Sequence, residues 1–116
     1  MKNDFDSSKR TIVVEGYIDQ KRTGEIVAQL MYLNHMDATA PICMQIKSAN
    51  GTMLNGYAIA DYMRSVDNRI DTISSGIHTP FSSILYEAGD VRKMASNTYV
   101  IDGTNVKPAK PQTGPR

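Results

Sequence analysis

Thr72-Ile73-Ser74-Ser75-Gly76-Ile77-His78-Thr79-Pro80-Phe81-Ser82-Ser83-Ile84-Leu85-Tyr86-Glu87-Ala88-Gly89 carries the reading on which the fold turns. Its opening continues Arg69-Ile70-Asp71 as a short strand, Gly76 breaks the run, and a helix begins at about Thr79. Ile84, Leu85 and Ala88 fall on the inner face of that helix, and Gly89 ends it. A strand feeding a tight turn and then a helix is how several hydrolase folds present a nucleophile. The turn exposes the side chain, and the helix N-terminus favours negative charge. Here the exposed position is Pro80, which has no hydroxyl, no proton to release and no backbone N–H. Proline nevertheless suits the first helical position, where its N–H would be unpaired anyway, and Thr79 is a good N-cap before it. The turn is expected to keep its shape and lose its chemistry.

Outward from this stretch, strands and helices alternate. Residues 11–16 are a β-branched run closed by glycine, read as a buried strand. From Thr23, Ile26, Val27, Leu30, Met31 and Leu33 take helical spacing, ending near Asn34-His35, where a cation suits the helix terminus. Residues 41–47 form a second strand, cut off by the turn-forming Ser48-Ala49-Asn50-Gly51. A second helix covers about 53–66, with Ile59, Tyr62 and Met63 inward, and short strands follow at 93–96 and 98–101. Residues 1–9 read as a flexible polar arm, and 103–116, with three prolines, as a disordered tail. The folded part, 10–102, is a single α/β domain whose short connections require right-handed crossovers.

Bulk properties narrow the function classes. The chain has 116 residues, 41% hydrophobic and 22% charged, which suits one modest core. A formal net charge of +1 gives no reason to invoke nucleic acid or an anionic membrane. No apolar run approaches the roughly 20 residues that span a bilayer, and the polar start lacks a secretory segment, so a cytoplasmic location is expected. Cys43 is the one cysteine; with His35 and His78 far from it in sequence, no metal site and no cofactor are expected. Met31, Met44 and Met63 fall at inward positions and are read as core filling.

The order of elements resembles the proteolytic subunit of the Clp protease (the ClpP family), a crotonase-like α/β spiral whose heptameric rings enclose serine-protease sites. The likeness covers about residues 9–102. Arg10-Thr11-Ile12-Val13-Val14-Glu15-Gly16-Tyr17-Ile18-Asp19 is similar to the family's opening strand and turn, and Ile26-Val27-Ala28-Gln29-Leu30-Met31-Tyr32-Leu33 to its first helix. Ile46-Lys47-Ser48-Ala49-Asn50-Gly51-Thr52 stands where the family has Ile-Asn-Ser-Pro-Gly-Gly-Ser. Gly56-Tyr57-Ala58-Ile59-Ala60-Asp61-Tyr62-Met63 resembles the helix that follows.

The resemblance implies a lost active site. Aligning Gly76 with the first glycine of the family's Gly-Gln-Ala-Ala-Ser-Met-Gly-Ala puts Pro80 at the nucleophile. Asp102-Gly103-Thr104-Asn105 holds no histidine where the catalytic one should fall. The family's aspartate and its handle lie beyond Arg116, so the expectation is a truncated head domain without a triad. Asn50, Gly51 and Phe81 would remain as a vestigial oxyanion and substrate loop, the N–H groups of Gly51 and Phe81 being the donors. Ser82 and Ser83, inside the first turns of a helix, are read as packing residues. Cys43 and Gln45 replace outward tyrosines of the family's ATPase-docking pocket, which argues against docking of the unfoldase ring. The implied role is a pseudoprotease that binds ClpP-type subunits or copies of itself, of a kind that suits a compact genome such as a phage's. Alternatives are a self-assembling structural oligomer, or a residual serine hydrolase using Gly51, Phe81 and a recruited Ser82.

Overall fold

The computed structural model describes residues 5–102, 105–109 and 113–115. Period-two alternation sets the orientation of the first strands. β1 (Thr11–Ile18) buries Ile12, Val14 and Ile18, and β2 (Ile42–Gly51) buries Ile42, Met44 and Ile46, while Val13, Cys43 and Gln45 on the opposite face are half-buried. β3 (Ile70–Ser75) starts apolar with Ile70, then turns Thr72 and Ser74 to the same buried side. Burial of such hydroxyls requires partners, and both have them: Thr72 Oγ1 donates to Tyr86 O at 3.0 Å, and Ser74 Oγ lies 2.8 Å from His78 Nδ1.

Three helices accompany these strands among the described residues: α1 (Gln20–Met36), α2 (Met53–Ser65) and α3 (Pro80–Ala88). Each begins with a side-chain cap, from Asp19, Thr52 and Thr79 respectively. α1 packs on β1, α3 on β2 and β3, and α2 lies against both α1 and α3. Leu30, Leu33, Ile59, Met63, Phe81 and Leu85 supply the helical side of the core.

The remaining strands are β4 (Ile77–His78), β5 (Val91–Met94), β6 (Tyr99–Asp102), β7 (Asn105–Pro108) and β8 (Thr113–Pro115). Among the described residues the main sheet runs β1-β2-β3-β5-β8 and a smaller sheet β4-β6-β7. β1, β2, β3 and β5 are mutually parallel, as strand–helix–strand connections require. β8 and β7 join antiparallel at the edges of their sheets.

Several boundaries differ from the sequence reading. β2 does not turn at Ser48 but runs on to Gly51, because β1 continues beside it with Tyr17 paired to Asn50 and Ile18 to Gly51. The kink that suggested a turn is absorbed by Ser48 itself, at φ 45°, and by Gly16 at φ 72°, where the β1–β2 register shifts. α1 starts at Gln20 rather than Thr23, since Asp19 caps it by accepting from Arg22 N–H at 2.8 Å. Met31 is 52% exposed and not a core residue, whereas Met44 and Met63 are buried.

The described part of the arm takes a defined turn and specific contacts. Asp6 caps a 3₁₀ turn over Ser7–Lys9, and the Phe5 ring meets Tyr32 edge-on at 6.2 Å; residues 1–4 lie outside the described residues. Arg10 then anchors the segment by donating to the carbonyl oxygens of Leu33, Asp37, Ala40 and Pro41. The tail, expected to be disordered, places residues 105–108 and 113–115 in β7 and β8; residues 103, 104, 110–112 and 116 lie outside the described residues. Composition misleads there because the backbones of β6 and β5 offer free edges, and ladder pairing needs no apolar periodicity.

Candidate functional site

The start of α3 is held by two hydroxyls on one carbonyl. Thr79, extended at φ −91° and ψ 170°, accepts from Ser82 N–H at 3.1 Å and donates to Ala49 O at 2.6 Å. Ser82 Oγ donates to the same Ala49 O at 2.7 Å and is fully buried. These bonds tie α3 to β2 just before Asn50-Gly51. Pro80 occupies the first helical position with its side chain exposed, as the sequence predicts for a capped helix start.

Phe81 and Gly51, read as a vestigial pair, do come together, but through the Phe81 ring. A Cβ at Gly51 would stand 2.9 Å from Phe81 Cε1 and 3.0 Å from Ile18 O. A Cβ at Gly56 in α2 would stand 3.1 Å from Ile84 Cδ1 and 3.3 Å from Phe81 Cδ1. The ring therefore lies where β2 hands over to α2, and it fits there because both neighbours are glycine. The Gly51 N–H donates to Asn50 Oδ1 at 2.9 Å, so the chain's own side chain already holds one of the two backbone donors named above.

The nearby histidine pairs with a buried serine of β3 rather than with Ser82. His78 is buried, its Nδ1 bonded to Ser74 Oγ and its ring edge-on to Tyr86 at 5.4 Å. Burial pushes its pKa below the usual histidine value, with Glu87 pulling weakly the other way. Cys43 is a half-buried thiol whose pKa is raised by burial and by the Asp71 carboxylate, the opposite of what a reactive thiolate needs. Among the described residues no group of three or more histidine, cysteine, aspartate or glutamate side chains converges to hold a metal ion.

Two participants have no mark in the sequence. Ser48 Oγ accepts from Ile77 N–H at 2.9 Å and sits where a Cβ at Gly76 would fall, 2.2 Å away. Gly76, at φ 74°, thus lets β4 cross over Ser48. The Ala49 carbonyl is the other, since nothing in an alanine predicts that it will anchor a helix cap.

The Clp protease family matches residues 5–103, nearly all of this framework. The chain belongs to that family. Two Clp protease relatives, both ATP-dependent Clp protease proteolytic subunits, are similar at the sequence level. The protein from Pleurastrum terricola is 32% identical over 85 residues, 73% of this chain and 43% of its own length. That from Ligilactobacillus salivarius is 35% identical over 80 residues, 69% of this chain and 41% of its own. The chain thus spans less than half the length of these curated relatives. Among solved structures, ClpP1 from Listeria monocytogenes superposes with a TM-score of 0.73 at 20% identity, over 82% of this chain and 56% of that one. A point mutant of the same protein gives 0.75 at 22%, over 81% and 56%. The ClpP-like α/β fold read from the sequence is therefore the fold found. No helix among the described residues is long and apolar enough to cross a membrane.

Proposed function

We propose that this Clp protease family member is a catalytically inactive, cytoplasmic pseudoprotease that binds ClpP-type subunits or copies of itself. The observation that carries the reading is Pro80 at the first position of α3, the point that the family's serine motif occupies when Gly76 is aligned with its first glycine. The proline ring offers no hydroxyl, thiol or free amine, so this residue cannot form an acyl intermediate, whatever base stands beside it. The alternative of a recruited Ser82 is weakened by its geometry, since its hydroxyl is buried and donates to Ala49 O at 2.7 Å. His78, the neighbouring base, is turned to Ser74. The vestigial loop of Asn50, Gly51 and Phe81 is proposed as a relic that shapes the start of α2 and α3.

Apolar side chains exposed on α1 and α2, including Tyr32, Met36, Leu54 and Tyr57, favour a binding role over a solitary one. The test is co-purification with a ClpP-type subunit together with that partner's peptidase rate. Capture with a changed rate is the expected result. A discrete homo-oligomer that ignores ClpP would favour the structural-oligomer reading. Labelling of the chain alone by a fluorophosphonate would overturn inactivity.

A further inference from the structure

The chain contains two Asn-Gly pairs, Asn50-Gly51 and Asn55-Gly56, and the fold treats them differently. Asparagine followed by glycine is the pair most open to intramolecular attack of the next backbone nitrogen on the side-chain amide, because glycine puts no Cβ in the way. At the first pair, Asn50 is exposed at the end of β2, and its Oδ1 lies 2.9 Å from Gly51 N. The carbonyl carbon that would be attacked is one bond from that oxygen, so the side chain is already folded toward Gly51 N, with one exposed hydrogen bond to exchange before attack. At the second pair, Gly56 is buried in α2, and its N–H is fixed in a helical bond to Thr52 O at 3.0 Å. The fold also keeps the first pair intact, because Phe81 and Ile18 O leave no room for a side chain at Gly51.

We propose that Asn50 is a site of spontaneous deamidation and isoaspartate formation in the folded protein, and that Asn55 is protected. Gly51 N loses its proton and bonds to Asn50 Cγ, the Cγ–NH₂ bond breaks, and the amide nitrogen leaves as ammonia carrying that proton. The resulting succinimide is opened by one water molecule at either carbonyl, giving aspartate or isoaspartate. No oxidant, reductant or enzyme is needed. The product places a carboxylate beside Thr52, the cap of α2, where a helix N-terminus favours negative charge. The isoaspartate form also lengthens the main chain by one carbon at the Tyr17–Asn50 pairing of β1 with β2. The modification would recast the loop of the candidate site whether or not that site is catalytically silent.

The test is incubation of the full chain at mildly alkaline pH, native and in denaturant, followed by peptide mapping for a gain of one mass unit and by isoaspartate detection. In the native protein, conversion at position 50 should exceed that at 55 by roughly tenfold or more, because attack at the buried Gly56 N requires opening a turn of α2, whereas the Gly51 N–H bond is exposed at a strand end. In denaturant the two rates should converge. Equal native rates, faster reaction at Asn55, or a native Asn50 that stays intact while the denatured one reacts would each overturn the proposal. Asn50→Gln should abolish the product at that position, with far-ultraviolet circular dichroism unchanged.

Discussion

Pro80 and His78 stand two positions apart at the head of α3, and each predicts a distinct response to change. Pro80→Ser restores a hydroxyl at the exposed helix start but brings no new base to it, and His78 is buried, with Nδ1 on Ser74 Oγ at 2.8 Å and its ring edge-on to Tyr86. The variant is expected to remain unlabelled by a fluorophosphonate and to lose about 0.4–1 kcal/mol of stability, through the freer unfolded chain. Chemical denaturation and the probe read the two effects separately, and labelling would show that a base is available after all. For His78, burial lowers the folded-state pKa below the unfolded value of about 6.5. The unfolded chain therefore binds a proton first as pH falls. The stability contributed by the neutral imidazole is full above about pH 6.5 and is lost progressively below it, down to the folded-state pKa. His78→Gln should flatten the fall in urea midpoint between neutral and mildly acid pH, and an unchanged slope would assign that fall to other groups.

Among the elements, those with strong local signals are legible in the sequence. Thr79-Pro80 announces the start of α3 because a cap and a fixed φ are properties of the residues themselves. β2 beyond Ser48 is not legible, since Ser-Ala-Asn-Gly reads as a turn and only the neighbouring β1 keeps it extended. β7 and β8 escape notice for the same reason, being set by partner edges rather than by their own composition. The site divides likewise. Pro80 can be read from spacing, but the shared Ala49 carbonyl and the Phe81 ring over Gly51 exist only after β2, α2 and α3 have met. That junction is tight, so Gly51→Ala should cost about 1–3 kcal/mol by forcing the ring or the Ile18 carbonyl aside. Phe81→Ala should cost about 3–5 kcal/mol by emptying the same space, and both are measurable by denaturant titration.

At the scale of the whole molecule, β1 is an outer strand of the main sheet among the described residues, and a free strand edge invites pairing with another chain. One guard is already in place. Arg22 in α1 reaches over the edge, its Nη2 donating to Val13 O at 2.7 Å and its Nη1 facing Glu25 Oε1 at 3.4 Å. The guanidinium side chain is only 11% exposed, so it packs against the sheet and screens the strand at the same time. Arg22→Ala would remove a charge-assisted bond and leave the Val13 carbonyl open, for a loss of about 1.5–3 kcal/mol. The exposed edge should also raise self-association, seen as concentration-dependent light scattering in a protein whose circular dichroism is unchanged. Arg22→Lys should recover little of either, because an ammonium cannot hold the carbonyl and the carboxylate in one planar fork. An alanine variant that scatters no more than the parent would show that Arg22 is not what guards this edge.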